Sequence, residues 1–468
     1  PGHTGSNRGW RIDPGHYYQG KSVLYQPNKL PINVKQPSGN PAIVTESGWN
    51  LPHKYQAEGP FLISAYMSLT GVDGFYWFNP SDWAYDSNPY HTWANLEGGQ
   101  HPLYRWTIST PGQLAMFPAN ALLYRKGYLS EGKTTVSEKR TLESLWKKEI
   151  PVITENMGFD PNRDTQVSNP EETEISPLAY LTGKVTVEYG AENNSSTIDP
   201  ELSQLIDFDS KKLKSSTGQL EWDYQNGICV MDAPVAQGIC GFVGAQKTFE
   251  LSGISIETEN EYATVNVVSM DDNPITESSR VLVQVGTIYR PSNWSESPAT
   301  FELNDEMVSG FRIDNTGEMP WKAANTKVKL TLENSWLAKA TVINAAGYAK
   351  EEVDLVKSGN SVQLTLPEDA MYVILESPTH SENTFQNDYK MKVFPNPGKG
   401  DFWVEISGND FSGMGLELRN LTGQKIWEII NFTGSKVPVK MHDYNGVLLV
   451  LLKKDETILA TDKLFVIN

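Results

Sequence analysis

Five runs in the middle of the chain alternate apolar and polar residues: Lys184-Val-Thr-Val-Glu, Thr264-Val-Asn-Val-Val, Val281-Leu-Val-Gln-Val, Val328-Lys-Leu-Thr-Leu and Met371-Tyr-Val-Ile-Leu. Gly, Asn, Asp and Pro separate them. A period of two with turn residues between runs fits antiparallel strands packed as a sandwich and excludes a helical bundle for this region. Residues 131–378 are accordingly read as a β-sandwich.

The N-terminal 130 residues have a different texture. Pro41-Ala-Ile-Val-Thr-Glu-Ser-Gly-Trp49 contains a short β-branched run, read as a buried strand, with Glu46 at its C-terminal end. Phe61, Ala65, Tyr66 and Leu69 lie at helical spacing and Gly71 follows as a stop. Gly74-Phe-Tyr-Trp-Phe-Asn79 reads as the next strand, and a further helical stretch spans about Pro111 to Arg125. The order, strand, loop, strand, helix, strand, predicts parallel βαβ units. Active sites of parallel α/β barrels lie at the C-terminal ends of the strands. Glu46 is therefore a candidate nucleophile or acid/base. Asp73 stands at the opposite end of its strand, and Asp82 follows it without a supporting motif. Trp83, Trp93 and Tyr85 to Tyr90 form a long aromatic loop suited to substrate contacts.

The 468 residues predict about three domains. With 57 Asp+Glu against 39 Lys+Arg, the net charge of −18 disfavours nucleic acid and anionic membranes as partners. No apolar run is long enough to span a bilayer. The 13 Trp and 20 Tyr serve sugar stacking and sandwich cores equally well. Cys229 and Cys240 lie symmetrically about Pro234, where a hairpin would bring them face to face; a bridge and two buried thiols are both compatible, and two thiols are the simpler expectation. Asp271-Asp-Asn273 is an acidic turn to which no metal is assigned, and no cofactor is expected. The chain begins Pro1-Gly-His without Met, and is read as the C-terminal fragment of a longer protein.

Three motifs together resemble the last part of a clan A glycoside hydrolase barrel, the cellulase-like (β/α)8 superfamily. They are Thr45-Glu46-Ser47-Gly48-Trp49, His16-Tyr17-Tyr18, and Asp73-Gly-Phe-Tyr-Trp77 behind Ala65-Tyr66. The resemblance covers residues 1–130 and implies an incomplete TIM barrel, last strands only. It implies a retaining glycosidase with Glu46 as nucleophile and an acid about 5–5.5 Å away. It also implies Tyr18 donating to Glu46, His16 on a sugar hydroxyl or the acid, and Trp77 and Trp49 as the sugar platform. The family's acid/base, an Asn-Glu pair, would lie upstream of Pro1. Leu220-x-Trp222 and Asn226 to Phe242 resemble the accessory sandwich fused behind such barrels. Trp77 and His16 also suit plain packing roles.

After a polar linker, residues 379–390, comes Lys392-Val-Phe-Pro-Asn-Pro-Gly. It is followed by Leu416 to Ile426 with Asn420-Leu-Thr-Gly-Gln-Lys425, then Asn445-Gly-Val-Leu448 and a terminal Lys463-Leu-Phe-Val-Ile467. This order resembles the C-terminal sorting domain of the type IX secretion route of Bacteroidetes, with Leu448 where an aromatic usually stands. It covers 391–468 and implies an Ig-like sandwich, export by that machinery, and a secreted or outer-membrane-attached protein of a Gram-negative bacterium. The fold expected is thus multidomain, α/β plus all-β, and the ligand a polysaccharide or oligosaccharide. The competing expectation is an exported carbohydrate-binding or adhesion protein without catalysis.

Overall fold

The structure is a computed structural model. It describes residues 2–3, 9–79, 103–155, 173–243, 247–303, 305–378, 389–408, 411–420, 423–454 and 457–467. Asp82 and the aromatic loop with Trp83, Tyr85, Tyr90 and Trp93 lie outside them. Strands far outnumber helices, 48% against 12% of residues, so the all-β expectation for most of the chain holds. Two compact units divide the chain, residues 1–378 and 379–468.

The elements that place the site begin with β1 (Tyr17–Gln19), followed by β2 (Ile43–Ser47), α1 (Glu58–Thr70) and β3 (Gly74–Trp77). β2 and β3 are parallel and joined through α1, as the sequence predicts. Every residue of α1 except Ser68 is buried, so the helix runs through the core instead of over its surface. It ends at Gly71 in the left-handed conformation (φ 69°), whose N–H closes on Met67 O. Helix α2 (Phe117–Lys126) packs against α1, and Ser64 Oγ donates to Asn120 Oδ1 at 3.0 Å between them.

Strands β4 (Ile228–Ala233) and β5 (Ala236–Phe242) form the hairpin expected about Pro234. They lie within a ten-stranded antiparallel sheet that runs from Ile206–Asp207 to Ala349–Val353. A five-stranded sheet that includes Ile254–Thr258 and Val328–Leu332 covers one face, enclosing Val265, Val267, Val283, Leu330 and Leu364. The other face is covered by α1 and α2, where Phe61, Tyr66, Trp222, Cys229 and Tyr262 share one core. This core runs across residue 130 without a break. All eight residues of Tyr262–Ser269 are consequently buried, including Thr264 and Asn266.

A long hairpin, β6 (Tyr289–Leu303) and β7 (Glu306–Ala323), follows the Arg280–Gly286 strand of the ten-stranded sheet and belongs to a separate four-stranded sheet. β7 pairs antiparallel with β1, with Phe311 opposite Tyr18 and Arg312 opposite Tyr17. The element order predicts parallel pairing for this N-terminal strand; instead Tyr17 and Tyr18 extend the hairpin's sheet in antiparallel register. A second correction concerns Lys184–Tyr189, which pairs parallel with Thr134–Arg140 and Gln36–Pro37 and stands outside the sandwich sheets. The third concerns β2 itself. It was expected to be buried, but Ile43 is 51% exposed and Thr45 and Glu46 are exposed. Among the described residues β2 pairs with β3 alone, so one edge and one face have no cover. A complete TIM barrel is not present in the described residues.

In the second unit a three-stranded sheet (Lys390–Phe394, Asp401–Ser407, Lys436–Lys440) faces a four-stranded one. The four-stranded sheet is made of Met414–Asn420, Lys425–Ile430, Gly446–Lys454 and Thr457–Val466. Asp401–Ser407 alternates strictly, placing Phe402, Val404 and Ile406 in a core with Leu416, Leu418, Leu448 and Val450.

Candidate functional site

The β2–β3 ladder is regular at Ile43↔Gly74 and Val44↔Phe75, then shifts by one residue before Ser47↔Trp77. Thr45 and Glu46 together stand opposite Tyr76, a β-bulge at the C-terminal end of the strand. A bulge re-aims a side chain, and such irregularities are enriched beside functional sites. Glu46 is exposed, and its side chain makes no hydrogen bond or ion pair with the described residues. At the other end of the ladder Asp73 Oδ2 accepts from Ala42 N at 2.8 Å, so that carboxylate joins strand starts and takes no part at Glu46's end.

The segment after Glu46 is fixed by a buried polar network. Gly48 lets the chain approach Phe78 O, where a Cβ would sit 2.7 Å away. Trp49 O accepts from Gln56 Nε2 at 2.8 Å and Gln113 Nε2 at 3.0 Å. The Trp49 indole N–H donates to Glu58 Oε1 at 2.9 Å. Glu58, fully buried in the first turn of α1, also accepts from Ser22 Oγ, from Val23 N at 3.0 Å and from His53 Nε2 at 3.1 Å. Four donors satisfy a charge that would otherwise be costly to bury. Burial pushes the His53 pKa down, against the pull of Glu58, and so disfavours the protonated ring. Its Nε2 then carries the proton and its Nδ1 is buried without a hydrogen-bond partner among the described residues. The sequence reading missed this network; an acidic residue in a helix's first turn is its only sequence signal.

The resemblance-based roles fare unevenly. Trp49, 5% exposed, has its ring pressed on Gly59 and leaves no face for a sugar. Trp77 is half-buried and turned toward the helices, with ring centroids 4.7 Å from Phe75, 5.2 Å from Phe117 and 5.9 Å from Trp49. The two tryptophans are brought together as packing partners. Tyr18 does not donate to Glu46. Its hydroxyl donates to Glu296 Oε2 on β6 at 2.7 Å and accepts from Arg290 Nη2 at 2.8 Å. Burial, first of all, raises the Tyr18 pKa far above its ordinary value. His16 Nδ1 accepts from Asp13 N at 3.2 Å and its Nε2 lies 3.9 Å from Asp13 Oδ2; burial lowers its pKa.

Aromatic residues that the sequence reading did not single out gather where the loop after β3 returns. Arg105 N donates to Trp10 O and Leu51 N to Arg105 O, at 2.8 and 2.9 Å, and Ile108 N donates to Asn79 O at 3.1 Å. These bonds set Trp10, Tyr104 and Trp106 beside the segments that follow β2 and β3. Trp106 is 38% exposed, 6.3 Å from the Phe78 ring, and Trp10 lies 5.6 Å from Tyr104. Their signal is visible only once the loop closes.

No metal-binding cluster exists among the described residues. Asp271 is filled by Ser278 Oγ, Ser279 N, Ser279 Oγ and Ser269 Oγ at 2.6–2.9 Å. Burial works against its ionisation, but those bonds outweigh it and hold its pKa well below the carboxylate range. Cys229 and Cys240 face each other across β4 and β5 as buried free thiols. No helix among the described residues is long and apolar enough to cross a membrane. Neither a protein-family model nor a curated protein matches this chain.

Proposed function

We propose that the chain is part of an exported glycoside hydrolase that cleaves O-glycosidic bonds of a polysaccharide with retention, with Glu46 as nucleophile. The observation that supports this is the bulge at the end of β2, which leaves a solvent-facing carboxylate without a partner among the described residues. A nucleophilic carboxylate has to be ionised, accessible and rigidly based. The network behind Trp49 supplies the rigid base. In this reading Glu46 attacks the anomeric carbon, and water later releases the glycosyl-enzyme. The departing glycosidic oxygen takes its proton from a second carboxylic acid. Residues 391–468, by their resemblance to type IX sorting domains, direct export to the cell surface.

Covalent labelling tests the reading. Incubation with a 2-fluoro glycosyl fluoride should add one glycosyl mass to the Glu46 peptide, and Glu46→Gln should stop turnover while binding persists. Turnover by Glu46→Gln sinks the assignment. The exposure of β2, which pairs with β3 alone among the described residues, favours a second reading, glycan binding without turnover.

A further inference from the structure

We propose that Arg105, beside the Trp106 ring, is a subsite for the anionic group, carboxylate or sulfate, of an acidic sugar unit. The proposal rests on the glycan-processing reading above and specifies its substrate class.

Three observations converge on Arg105. The first is position. Its backbone is clamped between Trp10 O and Leu51 N, so it lies beside the segment that leaves Glu46. The second is its aromatic frame. The guanidinium carbon lies 5.8 Å from the Trp106 ring centroid, and Trp106 is partly exposed. Trp10 and Tyr104 form the adjoining pair. An exposed indole stacks on a pyranose face, and a guanidinium beside it reaches the ring's substituents.

The third observation is charge. Each neighbouring arginine is compensated: Arg11 grips Asp13 with two bonds of 2.6 and 2.8 Å, Arg290 pairs with Glu296 at 3.3 Å, and Arg312 pairs with Asp314. Arg105 faces no carboxylate among the described residues, and its single side-chain hydrogen bond is a 3.4 Å contact to Gly9 O. It is half-buried, and burial lowers its pKa. A half-buried cation without a counter-charge, with most of its planar donor fork unused, matches a bidentate oxyanion. The chain's net charge of −18 opposes polyanions at long range. Selection for an acidic unit therefore depends on this local contact, within the Debye length of about 8 Å at physiological salt.

Binding to the 468-residue chain tests this without requiring turnover. Tryptophan fluorescence and calorimetry would compare oligogalacturonides, sulfated galactan oligosaccharides and neutral cello- and agaro-oligosaccharides of equal length. At least one acidic series should bind 10-fold or more tighter than the neutral ones, and the tighter of the two identifies the anion. Arg105→Gln should erase that preference while neutral binding remains, and Arg105→Lys should keep part of it; unchanged thermal unfolding shows that both variants are folded. Neutral binding with no acidic preference, or a preference that survives Arg105→Gln, overturns the subsite and leaves the glycosidase reading standing. Absence of binding by every series overturns the subsite, and the labelling of Glu46 decides the glycosidase reading separately.

Discussion

The Trp49 indole N–H donates to Glu58 Oε1 at 2.9 Å, nine residues further along the chain. This bond ties the loop that leaves Glu46 to the first turn of the helix that leads to the next strand. Glu58 is the hub: Ser22, Val23 and His53 converge on the same carboxylate. Glu58→Ala strands several buried donors at once and should destabilise the first unit by about 3 kcal/mol or more. Urea unfolding followed by tryptophan fluorescence measures it. A loss under about 1 kcal/mol would show that water replaces the carboxylate.

Acid should weaken the same network. The His53 pKa is lowered in the folded state, whereas an unfolded histidine titrates near 6.5. Between these two values the unfolded chain binds the extra proton. The contribution of His53 is thus fully present above about pH 6.5 and is lost as pH falls below it, at up to about 1.4 kcal/mol per pH unit. Glu58 raises the ring's pKa and Arg290 lowers it, and His16, lowered by burial as well, adds in the same direction. Stability measured from pH 8 to 5 should show this slope, and His53→Gln should flatten it.

Gly59 is required for the Trp49 contact. A Cβ there would lie 2.7 Å from Trp49 Cδ2 and 2.8 Å from Cε3. Ala is the better helix former, but the indole is walled in and the overlap outweighs the propensity gain of about 1 kcal/mol. Gly59→Ala should lower stability by about 1–2 kcal/mol and shift the tryptophan emission.

Tyr18→Phe separates two possible roles of that hydroxyl. The observed bonds join β1 to the β6–β7 hairpin through Glu296 and Arg290. Losing them should cost about 1–2 kcal/mol and raise the proteolysis rate within residues 289–323. Unaltered proteolysis there would show that the hairpin is held by Phe311 and Ile313 packing alone.

Cys229 and Cys240 should be unreactive in the native chain. Both are fully buried, and burial pushes the Cys229 thiol up to about 12 and Cys240 well above its ordinary value. A thiol reagent should titrate none in buffer and two in guanidinium. Fewer than two in guanidinium would mean that the pair is bridged.

Much of the local structure is legible in the sequence. The spacing of Phe61, Ala65, Tyr66 and Leu69 with Gly71 specifies α1, because a 3.6-residue period and an αL stop are properties of the chain itself. The period-two runs specify strands for the same reason, and Pro234 marks the β4–β5 hairpin. Which faces meet is decided elsewhere. Thr264, Asn266 and Gln284 have the polar spacing of a solvated strand face, yet α2 covers them: Gln284 bonds Met116 O and Ala119 N, and Asn266 meets Asn120. Likewise the order of His16, Tyr18, Trp49 and Trp77 led to the expectation that Tyr18 serves Glu46, but Tyr18 turns to Glu296, 278 residues away, and Trp49 to Glu58. Alternation and spacing fix the direction a side chain leaves its strand. The partner at the end of that direction depends on long-range packing, and for Glu46 that packing ends in a bulge with the carboxylate left to solvent.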